Sequence, residues 1–566
     1  MELSLAKAER AYLKLILGGL GALVIFVLLC WGGFRFYRHW EEGHLVRRAR
    51  VFLDAGDLKT ASLNARRALQ LERSSVAATR LIAEIAERTN DPTALEWRRK
   101  VLELDPGSID DKLALVRGAM VFNDPATAEK TLASVAPVAA QKPAFHAAIA
   151  RLAEMRKDWP AAEQAWTKAV ALAPNETAYR FQLALLQLNL RDASKRAAGL
   201  ATLEELRREP KEAALATRAL VIDGIARHVP PEQSRDLAKE LQALPTAPFS
   251  DRIMYLEILR EMRDPDYDSY LAKLKTEVPA NPTDLASLLS WMIRNQMSAE
   301  AIAFVGSLPT EQTTKWPVPL AIAEGYAQAK DWAQLERLTK TGNWAVYDFL
   351  RHAYEARAAR GQEQQLAFRQ EMEAAQKATG NNPQALSILA QTVGDWGWEN
   401  EAVGLLWVLT KNPETRMAAL EKLYAHYAKI ADTAGLFRTL TQYAESAPND
   451  TVLNNLAQIS LLLGTDVERA TRTAADLMAK DPANAVYAST YAFGLLTKGD
   501  TKGALKVMDG LSADQLRNPS VATYYGLVLS AAGEKEKARP FLKRSAETTL
   551  LPEEKALVAK AERDLD

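Results

Sequence analysis

Six histidines and one cysteine are the side chains of this sequence best suited to metal binding or nucleophilic catalysis. No histidine has another histidine or a cysteine at the spacing used by metal sites; the six are His39, His44, His146, His228, His352 and His426. Phosphate-binding glycine loops, nucleophile elbows and zinc-protease helices have short signatures, and none of them occurs in the sequence. The sequence therefore predicts no enzyme, no metal ion and no bound cofactor.

Tryptophans are concentrated in about one fifth of the chain. Seven of the twelve lie between positions 291 and 407, namely Trp291, Trp316, Trp332, Trp344, Trp396, Trp398 and Trp407. Exposed aromatic side chains mark binding surfaces because they supply a large contact area at low conformational cost. The alternative is that these side chains fill gaps between irregular helices. We expect Trp316, Trp344, Trp396 and Trp398 to include solvent-accessible anchors for a partner.

The composition is that of a folded protein and gives no indication of nucleic-acid binding. Of the 566 residues, 48% are apolar and 25% are charged. Acidic and basic residues balance at 71 each, so no basic excess indicates nucleic-acid binding. Cys30 is the single cysteine, which excludes an intramolecular disulfide. At this length the chain exceeds one ordinary compact core.

Residues 15–34, LILGGLGALVIFVLLCWGGF, form an apolar run without a charged side chain. As a helix these 20 residues would span about 30 Å, the hydrocarbon thickness of a bilayer. We predict a transmembrane helix at 15–34 after an N-terminal tail at 1–14. A cleaved signal peptide is the alternative, but the run is long and no small-x-small cleavage site follows it. Gly18 and Ala22 form a small-xxx-small pair that could join two copies as a homodimer.

A period of about 34 residues organises the rest of the chain. From Ala162, steps of 34 and then 33 lead back through Ala128 and Ala94 to Ala61. Toward the C-terminus, a strict step of 34 joins Ala402, Leu436, Ala470, Ala504 and Ala538. Between these two series the marker residues fall less regularly, at Ala198, Leu237, Leu271, Ala301, Leu335 and Ala367. The pattern predicts repeated short amphipathic helices, with Ala470, Ala504 and Ala538 buried where helices cross.

Helix start and stop signals recur in register with these markers. Aspartate followed by proline opens three segments, at Asp91-Pro92, Asp124-Pro125 and Asp158-Trp159-Pro160. Prolines stand 12 residues after several markers and predict helix ends, at Pro106, Pro174, Pro448 and Pro482. Because one helix pair cannot cover its own apolar face, such pairs must stack on one another.

The repeating unit of 34 residues consists of a small–x2–large motif, a turn, a small–x3–large motif and a proline. This pattern resembles the tetratricopeptide repeat (TPR) family, most closely at 143–176 and 450–552. The resemblance implies an all-α fold, an α-solenoid of about fifteen TPR-like helix pairs wound into a right-handed superhelix. The expected segments are an N-terminal array at 41–210, degenerate repeats at 211–400, a C-terminal array at 401–552 and a capping helix at 553–566.

In TPR proteins the first helix of each pair lines a concave groove. In the stretch LNNLAQ, the resemblance places Asn454 and Gln458 on that groove, where their amides would bind the extended backbone of a partner. The repeated Lys/Asn arrangement that clamps a C-terminal carboxylate is not reproduced at the equivalent positions, so the sequence does not predict that specificity.

The expected function is a membrane-anchored scaffold that binds protein partners in its groove. The alanine-rich composition favours a bacterial source, and we expect the anchor in the inner membrane with the soluble part in the periplasm. Bacterial proteins of this family serve envelope assembly, secretion or polysaccharide export. Two alternatives are a periplasmic chaperone-like protein beside a translocon and a regulator that recruits a separately encoded enzyme.

Overall fold

The structure is a computed structural model, and it describes residues 35–227, 229–244, 247–342 and 344–565. The predicted membrane span at 15–34, with Gly18 and Ala22, lies outside the described residues. Within the described ranges, no helix combines the length and the apolar character that crossing a bilayer requires. These ranges contain helices, turns and loops but no β-strand, which confirms the all-α prediction for this part of the chain.

The chain divides into two compact units, with the boundary after Leu271. The helices of the first unit are α1 (35–54), α2 (Leu58–Leu71), α3 (Val76–Arg88), α4 (Ala94–Leu104), α5 (Ile109–Val121), α6 (Pro125–Ala139), α7 (Pro143–Met155), α8 (Trp159–Leu172), α9 (Thr177–Asn189), α10 (Ala193–Leu206), α11 (Ala213–Ala226), α12 (Pro231–Ala243) and α13 (Phe249–Glu261). The next helix, α14 (Tyr267–Glu277), contains the boundary.

The second unit continues with the same kind of element. Its helices are α15 (Pro282–Arg294), α16 (Ser298–Gly306), α17 (Thr310–Thr313), α18 (Val318–Gln328), α19 (Trp332–Thr341), α20 (Asp348–Gly361), α21 (Gln365–Ala378), α22 (Pro383–Asp395), α23 (Glu399–Leu409), α24 (Arg416–Lys429), α25 (Thr433–Ser446), α26 (Asp450–Leu463), α27 (Val467–Lys480), α28 (Ala485–Thr497), α29 (Thr501–Asp509), α30 (Ala513–Leu516), α31 (Pro519–Ala531), α32 (Lys535–Lys543) and α33 (Pro552–Leu565). Short 3₁₀ turns occur at Val278–Ala280, Ala345–Tyr347 and Arg544–Glu547.

These helices form successive hairpins of a first helix, A, and a second helix, B. Leaving out the one-turn helices α17 and α30 and the final helix α33, the described helices make fifteen such pairs. The pairs are α1/α2, α3/α4, α5/α6, α7/α8, α9/α10, α11/α12, α13/α14, α15/α16, α18/α19, α20/α21, α22/α23, α24/α25, α26/α27, α28/α29 and α31/α32. Each helix packs mainly on its neighbours in the chain, as expected of stacked repeats.

The 34-residue markers lie on B helices and are mostly buried. Ala470, Ala504 and Ala538 are 4%, 0% and 0% exposed, which confirms their predicted burial. Some of the markers that fall between the two regular series do not coincide with the buried position. Ala198 is exposed and the adjacent Gly199 is buried, and in α12 Ala238 is buried whereas Leu237 is only partly so. Near the first of these, RDASKRAAGL offers several small residues in a row, and only the rotation of the helix decides which one meets its neighbour.

In nine of the pairs, the turn between helices A and B repeats one backbone conformation. The residue five positions before the marker has a positive φ in Gly56, Asn123, Lys157, Gln296, Lys330, Gly397, Ala431, Gly499 and Gly533. A left-handed residue ends helix A and reverses the chain, and glycine adopts this conformation without steric cost. In these nine turns the conformation is thus the same whether or not glycine occupies the position.

The predicted helix signals are confirmed with one exception. The Asp124 and Asp158 carboxylates cap α6 and α8 by accepting from the backbone N–H groups of Thr127 and Ala161, at 3.0 and 3.1 Å. Asp91 does not start α4, which begins at Ala94; its carboxylate accepts instead from the N–H of Thr93 in the preceding turn. Helices α4, α8, α25 and α27 each end just before their predicted proline.

Candidate partner-binding surfaces

The tryptophans predicted as exposed anchors belong to the core of the second unit. Trp344 is 1% exposed and Trp398 is 8% exposed, so the predicted accessibility is wrong for both. Trp316 and Trp396 are half-buried and pack against the same core. Here the indole rings pack into the core that is formed by helices from α18 to α24.

Ring contacts join these tryptophans to one another and to their neighbours. The Trp316 and Trp344 ring centroids are 5.9 Å apart, and those of Trp396 and Trp398 are 5.0 Å apart. Trp316 also stacks on Tyr347 at 4.1 Å. Such tilted and stacked contacts are typical of packed aromatic clusters. Burial and mutual contact together indicate that the cluster is structural.

Two arginines of α20 lie over indole rings of this cluster. The Arg357 guanidinium lies 4.5 Å from the Trp396 ring centroid, and that of Arg360 lies 4.8 Å from the Trp398 ring. Arg357 also donates to the Glu324 carboxylate at 2.7 Å. Tyr354 packs against Trp396 in the same cluster. Its burial, with a smaller contribution from the charge of Glu324, raises the pKa of Tyr354 well above its ordinary value. Half-buried Trp396 and buried Trp398 therefore each have a cationic neighbour in the free protein.

The two predicted groove amides have different environments. Asn454 on α26 is 1% exposed, so it does not face a groove, and its Oδ1 atom has no hydrogen-bond partner among the described residues. Gln458, one turn later, is half-buried, and its Nε2 group donates to the Tyr524 hydroxyl at 2.6 Å. The same group lies 3.4 Å from the Glu554 carboxylate. Gln458 thus contacts polar groups of α31 and α33, beyond its neighbouring helix pairs.

Around Gln458 there is a cleft of about 330 Å³, called here the α24–α31 cleft. Its walls are helices α24, α25, α26 and α31, and it is lined by Tyr424, Leu440, Asn455, Gln458, Ile459 and Tyr524 among other residues. Residues 548–551, which have no regular secondary structure, form another side of the cleft on their way to α33. An extended piece of the chain therefore lies against helices that precede it by several repeats.

Side chains hold this extended piece in place. Leu551 packs against the apolar cluster of α24, α25 and α26, whereas Leu550 packs against the cluster that includes Tyr524. The Thr433 hydroxyl donates to the Glu553 carboxylate, and the Tyr524 hydroxyl donates to that of Glu554. The stretch that we call the cleft segment, residues 548–554, thus places two leucines and two carboxylates on this surface.

The polar end of the cleft is buried. Glu554 is 7% exposed and Tyr524 is 3% exposed. Burial, reinforced by the Glu554 charge, raises the pKa of Tyr524 well above its ordinary value, so its hydroxyl stays protonated and can donate. The donors facing the two carboxylates are neutral side-chain groups of Thr433, Gln458 and Tyr524 and, for Glu554, the backbone N–H of Leu551.

A charged cluster that the sequence analysis did not identify joins α20 and α21. His352 Nδ1 lies 2.6 Å from the Glu371 carboxylate, and Glu355 completes a group whose ligand-type atoms lie within 4.8 Å of one another. Burial and the charge of Glu371 raise the pKa of Glu355. The Arg351 guanidinium lies 2.7 Å from His352 Nε2 and 3.1 Å from Glu355. Since an arginine already supplies positive charge here, the cluster is an ion-pair network.

A second cleft, of about 630 Å³, lies in the first unit and is lined by ion pairs. Arg50 contacts Glu84 at 2.7 Å, and the Arg80 guanidinium binds both oxygens of the Asp111 carboxylate. The bonded partners are 34 and 31 residues apart, so they join one A helix to the next. A search for pairs of opposite charge at the repeat spacing could have found them in the sequence.

Comparison with known proteins finds structures that are similar to this chain only at low TM-scores and low sequence identity. No known protein family and no curated protein matches the chain. A structure of Pseudomonas aeruginosa PilF is 15% identical, with a TM-score of 0.26 over 43% of this chain and 95% of that one. PilW, a widely conserved type IV pilus biogenesis factor, is also 15% identical, with a TM-score of 0.26 over 42% of this chain and 94% of that one. The APC/C hetero-tetramer Cut9–Hcn1 gives 12% identity and a TM-score of 0.30, covering 81% and 98%.

Proposed function

We propose that this chain is a membrane-anchored scaffold that binds extended segments of partner proteins between its helix pairs. The observation that carries the proposal is the α24–α31 cleft, in which helices of several repeats hold an extended piece of polypeptide through apolar and polar side chains. Stacked pairs expose such surfaces because each pair needs contacts only with its neighbours. The inner-membrane anchor at 15–34, the periplasmic location and the right-handed superhelix are parts of the same proposal.

The proposal assigns binding, and no chemical step, to this chain. The two charged clusters described above consist of groups paired with one another, which supports a structural role for them. Partners in envelope assembly, secretion or polysaccharide export would fit an anchored scaffold. Chaperone activity beside a translocon or recruitment of a separate enzyme would use the same surface with a different partner.

Site-specific photocrosslinking in intact membranes tests the proposal. A photoreactive amino acid at Asn455 or Tyr424 lies in the α24–α31 cleft, and one at Lys502 on the exposed side of α29 serves as the control. We expect discrete adducts with the same partner from both cleft positions and none from the control. Equal adducts from all three positions, or none from the cleft, would contradict the proposal. The identity of the adduct separates an assembly partner from a translocon subunit or a recruited enzyme.

A further inference from the structure

The cleft segment, TTLLPEE, has the features of a bound ligand that belongs to the same chain. We propose that it is an internal occupant of the α24–α31 cleft, which a partner segment of the same chemistry displaces. That chemistry is two adjacent apolar residues, a proline and two acidic residues, as in Leu550 to Glu554. The inference rests on the proposed function and adds both the kind of segment recognised and a competition for the site.

The contacts of the cleft segment define what the cleft recognises. The two leucines contact different apolar clusters, Leu551 on the α24–α26 side and Leu550 on the α31 side. Glu553 and Glu554 accept from the hydroxyls of Thr433 and Tyr524. Because these donors are uncharged, specificity for the acidic residues depends on hydrogen-bond geometry rather than on ion pairing. Binding of a partner segment should therefore depend only weakly on salt concentration.

The cleft segment is held in a way that allows exchange. Its backbone hydrogen bonds stay within the same stretch of chain: Thr548 N–H donates to Ser545, Leu551 N–H to the Glu554 side chain, and the Leu551 carbonyl accepts from Lys555. Leu550 and Leu551 are only half-buried. A competing segment therefore has to replace side-chain contacts alone.

The rest of α33 has its own anchorage, so release of the cleft segment does not require α33 to detach. Val558, Ala561 and Leu565 are buried in the core formed with α31 and α32. These residues lie beyond the first turn of α33, whereas Glu553 and Glu554 lie within it. Release would free the loop and unwind the start of the helix while its later turns stay packed.

The cleft also keeps space and hydrogen-bonding capacity beside its occupant. About 330 Å³ remains open, lined in part by Tyr424 and Asn455. In the described part of the chain no hydrogen bond involves the Asn455 side-chain amide, which is therefore available to an incoming backbone. A partner segment could gain this contact, which the internal occupant does not make.

Competition can be measured with a peptide copy of residues 546–557, AETTLLPEEKAL, added to the full-length chain in detergent. The double variant Leu550→Ser with Leu551→Ser weakens the internal occupant, so labelled peptide should bind it about tenfold or more tightly than wild type, because fewer of its clefts are occupied. Adding Gln458→Ala and Tyr524→Phe to this variant should abolish binding. A peptide carrying serine at both leucine positions is the matched control and should not bind either chain.

A second measurement avoids variants altogether. Excess peptide added to the wild-type chain should accelerate amide hydrogen exchange at Leu551 and Lys555, whose N–H groups are bonded only while the cleft segment is in place. Exchange in the later turns of α33 should stay unchanged. The inference is refuted if the peptide binds wild type and the serine variant equally, or if a folded serine variant does not bind it. Failure of peptide binding while cleft crosslinks persist would refute the internal occupant alone, whereas loss of the crosslinks would refute the proposed function.

Discussion

Replacing Gly526 with alanine tests whether the closest helix crossing of the last pair depends on the absence of a side chain. Gly526 lies in the middle of α31, against α32. A Cβ atom built there would be 2.9 Å from the backbone nitrogen of Leu542 and equally close to two atoms of its side chain. The Leu542 side chain can rotate away, but its backbone nitrogen can move only if α32 shifts.

The expected magnitude follows from two opposing effects. In a helix interior, alanine is favoured over glycine by about 1 kcal/mol. Overpacking a well-packed crossing costs about 1–3 kcal/mol, and the backbone contact places Gly526 toward the upper part of that range. The net destabilisation is then about 1–2 kcal/mol. The fraction of molecules in which α31 and α32 are transiently unfolded should therefore rise by about 5–30-fold.

Amide hydrogen exchange is the appropriate assay, because a long repeat array need not unfold in a single step. Gly526→Ala should accelerate exchange in α31 and α32 by about that factor. Gly404→Ala is the matched control: Gly404 is an exposed helical glycine in α23 with no atom within 4 Å of its built Cβ, so alanine should slow local exchange there. If Gly526→Ala also slows exchange, the close approach of α31 and α32 is refuted.

Three further predictions concern the turn, the alkaline stability and the anchor. Ala431→Gly should raise the melting temperature, since Ala431 has a φ of 55° and glycine relieves about 0.5–1 kcal/mol of strain there. Burial and a hydrogen bond to Asp509 raise the pKa of Tyr525 to about 12. The protonated Tyr525 hydroxyl stabilises the fold below about pH 10, and this contribution is lost as the pH rises to about 12. The free energy of unfolding of Tyr525→Phe should therefore fall less steeply with pH over that interval than that of wild type. The double change Val24→Asp with Val27→Lys should release the chain from membranes on carbonate extraction, because central charges cost several kcal/mol of insertion.

The features that could be predicted from the sequence are those set by contacts between neighbours in the chain. A marker such as Ala504 is buried because helices A and B of one pair must approach closely, and this requirement recurs at every period. Asp158 caps α8 through a bond to a residue three positions away. Where an insertion alters the local geometry, as before Gly199, the period alone no longer identifies the residue at the crossing.

The tryptophan cluster shows why composition alone did not locate a binding surface. An irregular pair needs larger side chains to fill its crossings, and the same aromatic residues would be chosen for an exposed anchor. Trp344 and Trp396 have the same chemistry, yet only their positions relative to α20 decide that Trp344 is enclosed and that Trp396 lies beside Arg357. Since those positions depend on how neighbouring pairs are rotated, only the structure could show which tryptophans are buried.

The α24–α31 cleft is even less predictable from the repeat pattern than the tryptophan cluster. Stacked repeats are stabilised by nearest-neighbour contacts, so a bond between Thr433 and Glu553, 120 residues apart, is not required by the architecture. The same holds for the bond between Gln458 and Tyr524, 66 residues apart. The bonds from Thr433 to Glu553 and from Tyr524 to Glu554 order an otherwise irregular segment at an entropic cost, and they exist only while the segment is in place. A segment that is dispensable for stacking but specifically held is where we expect the chain to exchange an internal contact for an external one.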